Sequence, residues 1–314
     1  MEKKNETTVI EFFLEGPTDH EELNNVFFVV FLAMYLINLL GNGTMISVIS
    51  GNSQFHTPMY LFLCFLSSVD MCITSVTVPK MLHNLISDKK TISFSQCFTQ
   101  LYFFMTFTSE ECFLLSIMAY DRYVAICNPL HYITIMNKKV CLSMLFVSLI
   151  ISIMHSMLHI LLVYHLSFCK SHKIKHFFCD LTPLLQLSCT DTSINVLLLF
   201  TESSVLLMVP LLIILISYIY IIKTILKMQS SGRRHKTFST CSSHLTVVIL
   251  FYGSIFFMYL RPSSSYSLQN DKIASVMYNV LSPMLNPFIY SLRNRDVKMA
   301  LRRVLQKKGT CSKE

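Results

Sequence analysis

Four carboxyl groups stand where such groups are costly. Asp70, Glu110, Glu111 and Glu202 each interrupt a long apolar run. An ionisable side chain inside hydrocarbon costs about 2.5–3.5 kcal/mol by insertion scales, which makes each a functional candidate by default. Asp70 and Glu111 fall near the middle of their runs, so adjacent helices would bring them face to face. Two carboxyl groups at low dielectric share a proton, bind a cation or take hydrogen bonds from polar neighbours. Asn42 and Asn286, also mid-run, are the available neighbours. The pattern fits a structural polar knot between helices and a cation or proton switch alike.

Other residues carry weaker chemistry. Asp121-Arg122-Tyr123 closes the third apolar run, where an acid beside an arginine can be a snorkelling interfacial pair. Pro287, after Asn286, and Pro210 each remove a backbone hydrogen bond and should kink their helices. His165, His172 and His176 lie near cysteines, yet those cysteines suit disulfides better than a metal, and histidine spacing alone is poor evidence. Serine and histidine are plentiful, but no nucleophile stands beside a base in a catalytic motif, so neither enzyme activity nor a cofactor is expected.

The elements that must position these groups follow from composition. Of 314 residues, 53% are hydrophobic and only 14% charged, with mean hydropathy +0.52; soluble domains carry about 25% charged residues. A bilayer-spanning helix needs about 20 apolar residues, and seven runs qualify: Val26–Ile49, Pro58–Met81, Cys97–Arg122, Val140–Val163, Ile194–Ile225, Phe238–Leu260 and Ile273–Leu292. The expected fold is all-α, a seven-transmembrane helix bundle. It divides into an N-terminal tail (1–25), the bundle (26–292) and a C-terminal segment (293–314). Within that segment, Arg293–Gln306 sets Val297, Leu301, Val304 and Leu305 opposite Arg and Lys, an amphipathic interfacial helix. Cys311, beyond it, is a candidate for palmitoylation.

Orientation follows from the basic residues. With the N-terminus outside, 16 of the 26 Lys and Arg fall on the inner loops and tail, as the positive-inside rule requires. The net charge of +8 then faces the anionic cytoplasmic leaflet and calls for no nucleic acid. The tail holds no cleavable signal peptide. It is expected to be disordered and carries a glycosylation sequon at Asn5; the matching sequon at Asn42 lies inside the first span. Only Cys97, Cys169, Cys179 and Cys189 fall on outer segments, where disulfides persist, and four cysteines allow three pairings.

Taken together, Gly41-Asn42, Asp70, Asp121-Arg122-Tyr123, Pro210 with Tyr218, and the run Asn286-Pro287-Phe288-Ile289-Tyr290 resemble a rhodopsin-like G protein-coupled receptor. A narrower resemblance, to the olfactory receptor family, lies in PMYLFL at Pro58–Leu63, MAYDRYVAICNPLHY at Met118–Tyr132, KTFSTCSSHL at Lys236–Leu245 and PMLNPFIYSLRN at Pro283–Asn294. His176–Asp180 and Phe251–Gly253 add to it, and the likeness covers essentially the whole chain. It implies disulfides Cys97–Cys179 and Cys169–Cys189, and a polar core of Asn42, Asp70 and Glu111 that could hold sodium. It also implies an activation set of Asp121, Arg122, Tyr123, Tyr218, His244, Asn286, Pro287 and Tyr290. The partners implied are a small-molecule odorant, a heterotrimeric G protein that raises cyclic AMP, and the lipids of the plasma membrane. The chain departs from the rhodopsin-like pattern in having no Trp: Leu149 and Tyr252 stand near the usual positions.

A receptor pocket belongs in the outer half of the bundle, mostly apolar with a few polar handles. Phe104, Met105, Thr108, Ser109 and Cys112 share one face of the third span, which the resemblance turns inward. Ser203, Leu206, Tyr252, Ile255, Tyr259, Tyr278 and Asn279 would complete the wall. The outer half offers Glu110 and Glu202, while Lys80 and Arg261 stay at the rim. A ligand carboxylate would therefore be buried unpaired, so a neutral volatile, or failing that an amine, is expected rather than an acid. A seven-helix transporter is the alternative by class, but no repeat relates the two halves. A chemosensor outside olfaction is the alternative within the receptor class.

Overall fold

The apolar runs fold as helices, and the polar residues between them decide where the helices begin. The computed structural model describes residues 11–18, 21–55, 57–169, 172–259, 268–293 and 299. Six long helices, counted here first to sixth, are Asn24–Ser50, Pro58–Ile86, Phe94–Cys127, Lys138–Tyr164, Ser193–Lys227 and Ser231–Tyr259. Each contains a stretch long and apolar enough to cross a membrane. The seventh joins Leu268–Val276, a π-helical turn Met277–Leu281 and Ser282–Arg293.

Pro58 opens the second helix at a position whose N–H has no helical partner anyway. Ser93 and Gln96 form a reciprocal capping box on the third helix, and Asn137 Oδ1 accepts the Val140 N–H at 3.0 Å on the fourth. Pro210 and Pro287 lie inside the fifth and seventh helices. Within the spans, hydroxyls such as Thr44 and Thr201 donate to carbonyls four residues back, which satisfies them without water.

The third helix is the axis of the bundle. Of its most apolar 18-residue stretch 61% is buried, against 17% for the first helix. The fifth helix turns Leu197, Phe200, Val205, Leu212 and Ile216 outward, as a bundle solvated by lipid requires. The interfacial helix expected over Arg293–Gln306 lies outside the described residues except for Arg293 and Met299.

The outer face holds a feature the apolar runs did not signal. The N-terminal tail, expected to be disordered, instead contributes strand β1 (Glu11–Leu14). It pairs antiparallel with β2 (Thr91–Ser93) and parallel with β3 (Lys173–Ile174), in the order β2-β1-β3. Alternation explains the insertion: Phe12 and Leu14 are buried while Phe13 faces out. Phe12 stacks on Phe94 and meets Phe168 edge-on. Asn5 lies outside the described residues.

Both disulfides form as the resemblance implied, Cys97–Cys179 and Cys169–Cys189. The first pins the long outer loop to the third helix, and Gln100 Oε1 reinforces it by accepting the Cys179 N–H at 2.9 Å.

Two ionisable groups tie this cap to the bundle. Glu15 lies 3.1 Å from Lys173 and 3.2 Å from the buried Lys272. Burial would raise its pKa, but hydrogen bonds and charge from the two lysines outweigh that and hold it below the usual range. His176 shares a 3.0 Å hydrogen bond with Ser275, and burial, aided by Lys272, lowers its pKa to about 3. The unfolded chain, with a histidine near 6.5, takes up protons that the folded chain refuses. The stability His176 contributes is therefore complete above about pH 6.5 and drains away as pH falls towards 3. Between pH 7 and pH 6 the loss should be about 0.7 kcal/mol. Thermal unfolding of detergent-purified protein checks this: His176→Gln should show a shallower decline over that interval than the parent chain.

Candidate functional site

A cavity opens in the outer half of the bundle where the third, fifth, sixth and seventh helices converge beneath the outer loop. One face of the third helix supplies Phe104, Met105, Thr108, Ser109 and Cys112. Ser203 and Leu206 line it from the fifth helix, Ile255 from the sixth and Tyr278 from the seventh. Sequence reasoning had placed these nine on one wall. Tyr278 also meets the Phe104 ring at 6.0 Å, joining the third and seventh helices beside the cavity.

The remaining expected residues lie elsewhere. Tyr252 and Asn279 are buried but do not line this cavity, and Tyr252 packs between Phe251 and Phe256. The side chain of Tyr259 and the whole of Arg261 lie outside the described residues. Sequence reasoning missed His155, Leu199 and Leu207, and the rim formed by Asp180, Leu181 and Thr182. That rim could not be placed without knowing how the loop folds back. Among the described residues the lining contains no Lys or Arg.

The two outer-half carboxylates are already engaged. Glu110 accepts hydrogen bonds from Ser148 Oγ at 2.8 Å and Ser152 Oγ at 3.2 Å, both on the fourth helix. Glu202 lies against His155 and His159 of the same helix. Neither carboxylate lines the cavity.

Deeper in the bundle is a buried polar core. Asn286 Nδ2 donates to both Asp70 carboxylate oxygens, at 3.1 and 3.0 Å. Asn38 donates to Thr74 Oγ1 and, at 3.3 Å, to the Asp70 carbonyl. Asn42 donates to Asn38 Oδ1 and, at 3.2 Å, to the Pro283 carbonyl. This last bond has a covalent cause: Pro287 has no N–H, so the carbonyl four residues earlier loses its helical donor. The adjacent Gly41 permits the approach, since a Cβ there would sit 3.0 Å from the Pro287 ring.

Glu111 completes this core. It is close enough to act on Asp70 electrostatically, and both of its carboxylate oxygens are buried with no hydrogen-bond partner. An all-oxygen donor set with unused lone pairs fits a hard cation.

Of the residues expected to act in activation, Asn286 and Pro287 belong to this polar core, and the others make contacts of their own. Asp121 accepts from the Tyr132 hydroxyl at 2.8 Å, while Arg122 reaches the Met59 thioether. Tyr123 packs 5.8 Å from the Tyr220 ring. His244 Nε2 lies 3.1 Å from the Leu115 carbonyl, a pure acceptor, so that nitrogen carries the proton. Nδ1 is then the acceptor for the Tyr218 hydroxyl at 2.9 Å. One imidazole thus links the third, fifth and sixth helices. Tyr290 is buried, and its hydroxyl has no hydrogen-bond partner.

Residues 31–308 match the family model described as olfactory receptor. The chain is 51% identical to olfactory receptor 5AR1 of Mus musculus, over 98% of this chain and 99% of that one. It is 50% identical to olfactory receptor 5AR1 of Homo sapiens, over 98% and 100% of the two chains. With olfactory receptor 1G1 of Gorilla gorilla gorilla the identity is 52%, over 97% of each.

Proposed function

This chain belongs to the olfactory receptor family, and on that premise we propose that it binds a neutral volatile molecule in the outer cavity and activates a cyclic AMP-raising G protein from its inner face. It is a multi-pass membrane protein and an odorant receptor, not an enzyme. The observation that carries the ligand class is the lining itself: apolar walls with Thr108, Ser109, Ser203 and Thr182 as hydroxyl handles and, among the described residues, no Lys or Arg. Hydroxyls orient a carbonyl or alcohol without a desolvated charge. An amine would have Asp180 at the rim as its carboxylate in the lining, since Glu110 and Glu202 face the fourth helix.

The basic inner loops support an orientation with the N-terminus outside and the C-terminus in the cytoplasm of a cell at its plasma membrane. The ligand must bind the state with an open inner face more tightly than the closed one. Opening would separate the three helices that His244 joins and free Arg122 for the G protein. Asp70 and Glu111 would hold a sodium ion, with the Asn42 and Asn286 side-chain oxygens available beside them. Such an ion would offset one of the two carboxylate charges. Asn286 meanwhile orients Asp70.

A cyclic AMP reporter in cells, read against a diverse odorant panel, tests this reading. Neutral aldehydes, ketones or alcohols should activate, and short-chain carboxylates should not. Arg122→Ala should abolish the response, at least tenfold, at unchanged staining of an N-terminal tag on intact cells. A strong carboxylate agonist lost on Ser109→Val would overturn the ligand class. Signalling that survives Arg122→Ala would overturn the coupling.

A further inference from the structure

The fourth helix carries two histidines one turn apart, and neither was needed for the reading above. His155 and His159 are both buried, with ring centroids 4.8 Å apart. An i, i+4 pair shares one helix face, and here that face meets Glu202 of the fifth helix. His155 Nδ1 stands 3.2 Å from Glu202 Oε1, and His159 Nε2 stands 3.1 Å from Glu202 Oε2.

The three groups stand at ion-pair distance without a well-aligned hydrogen bond between them. His155 Nδ1, His159 Nε2 and Glu202 Oε2 are buried with no hydrogen-bond partner, although they lie within reach of one another. An imidazole N–H aimed at a carboxylate would have satisfied both. Instead the donor atoms of all three residues converge within 4.8 Å. Three such atoms at that spacing can share one ion.

We propose that His155, His159 and Glu202 form a binding site for a zinc-class divalent transition-metal ion that clamps the fourth helix to the fifth beside the odorant cavity. Two imidazoles and one carboxylate are a borderline nitrogen and oxygen set, suited to zinc rather than to calcium or magnesium, which take oxygen ligands. Three protein ligands leave a fourth tetrahedral position open. Because His155 also lines the cavity, that position borders the space where an odorant sits. Glu202 keeps a third of its side chain exposed. The site is separate from the Asp70 and Glu111 core, whose donors are oxygen.

The test uses the full-length receptor purified in detergent at pH 7.5, where unprotonated imidazoles are available, so its outcome does not depend on the odorant reading. Titration with ZnCl2 should show a site of about one equivalent and raise the melting temperature by several degrees, whereas MgCl2 should not. CoCl2 should give visible d–d absorption of tetrahedral intensity. Glu202→Gln, which preserves volume, and His159→Ala should each weaken zinc affinity at least tenfold. His172→Ala, on the outer loop, should leave it unchanged. Equal zinc affinity in the parent, Glu202→Gln and His159→Ala would overturn the proposal, as would zinc binding abolished by His172→Ala. Should His159→Ala fail to fold, Glu202→Gln decides.

Discussion

Cys97→Ser is expected to remove most surface receptor and all odorant response, whereas Cys169→Ser should leave a reduced but measurable signal. The difference follows from the chain enclosed. Cys97 and Cys179 are 82 residues apart, and Cys169 and Cys189 are 20 apart. Loop-closure entropy makes the first worth about 4–5 kcal/mol and the second about 3. Location adds to the gap. The longer bridge anchors the segment carrying Phe177 and Phe178, both buried in the outer core, and next to it the cavity rim from Asp180 to Thr182. Without it, the roof of the ligand cavity keeps the Gln100 bond to the Cys179 N–H and the His176–Ser275 bond but loses its one covalent tie to the third helix. Surface staining of an N-terminal tag, read beside the cyclic AMP response, checks the ranking. A Cys97→Ser chain that signals as well as Cys169→Ser would contradict it.

How far the sequence discloses such features depends on the range of the interaction. The seven helices were legible because spanning a bilayer is a local demand on 20 consecutive residues. The cavity wall was legible for the third helix because Phe104, Thr108 and Cys112 repeat at the helical period. The rim was not, because Asp180 is brought to the cavity by long-range ties, among them a disulfide joining residues 82 apart in sequence. Strand β1 was hidden for a similar reason: four residues of alternating burial acquire meaning only beside Thr91 and Lys173.

One signal went unread. Polar residues four apart inside apolar runs recur at Asn38 and Asn42, Asp70 and Thr74, Ser148 and Ser152, and His155 and His159. Every pair takes part in a polar contact between neighbouring helices. A single polar residue in a span can back-bond to its own helix. Two on one face mark where another helix must come.

The polar core offers the sharpest quantitative case, because one of its bonds exists only on account of a proline. Asn42→Leu should destabilise the bundle by about 2–5 kcal/mol, since it strips the donor from both the Pro283 carbonyl and Asn38 Oδ1, and each orphaned acceptor costs about 1–3. Pro287→Ala supplies a backbone N–H to that same Pro283 carbonyl, in the position every other helical residue uses. In the Pro287→Ala background the carbonyl no longer depends on Asn42. The cost of Asn42→Leu should then fall by about 1–2 kcal/mol, the share belonging to Pro283, while the share belonging to Asn38 persists. A double-mutant cycle on thermal or denaturant unfolding in detergent reads this coupling directly. Strict additivity would mean that the proline does not create the acceptor that Asn42 serves, and that Asn42 acts through Asn38 alone.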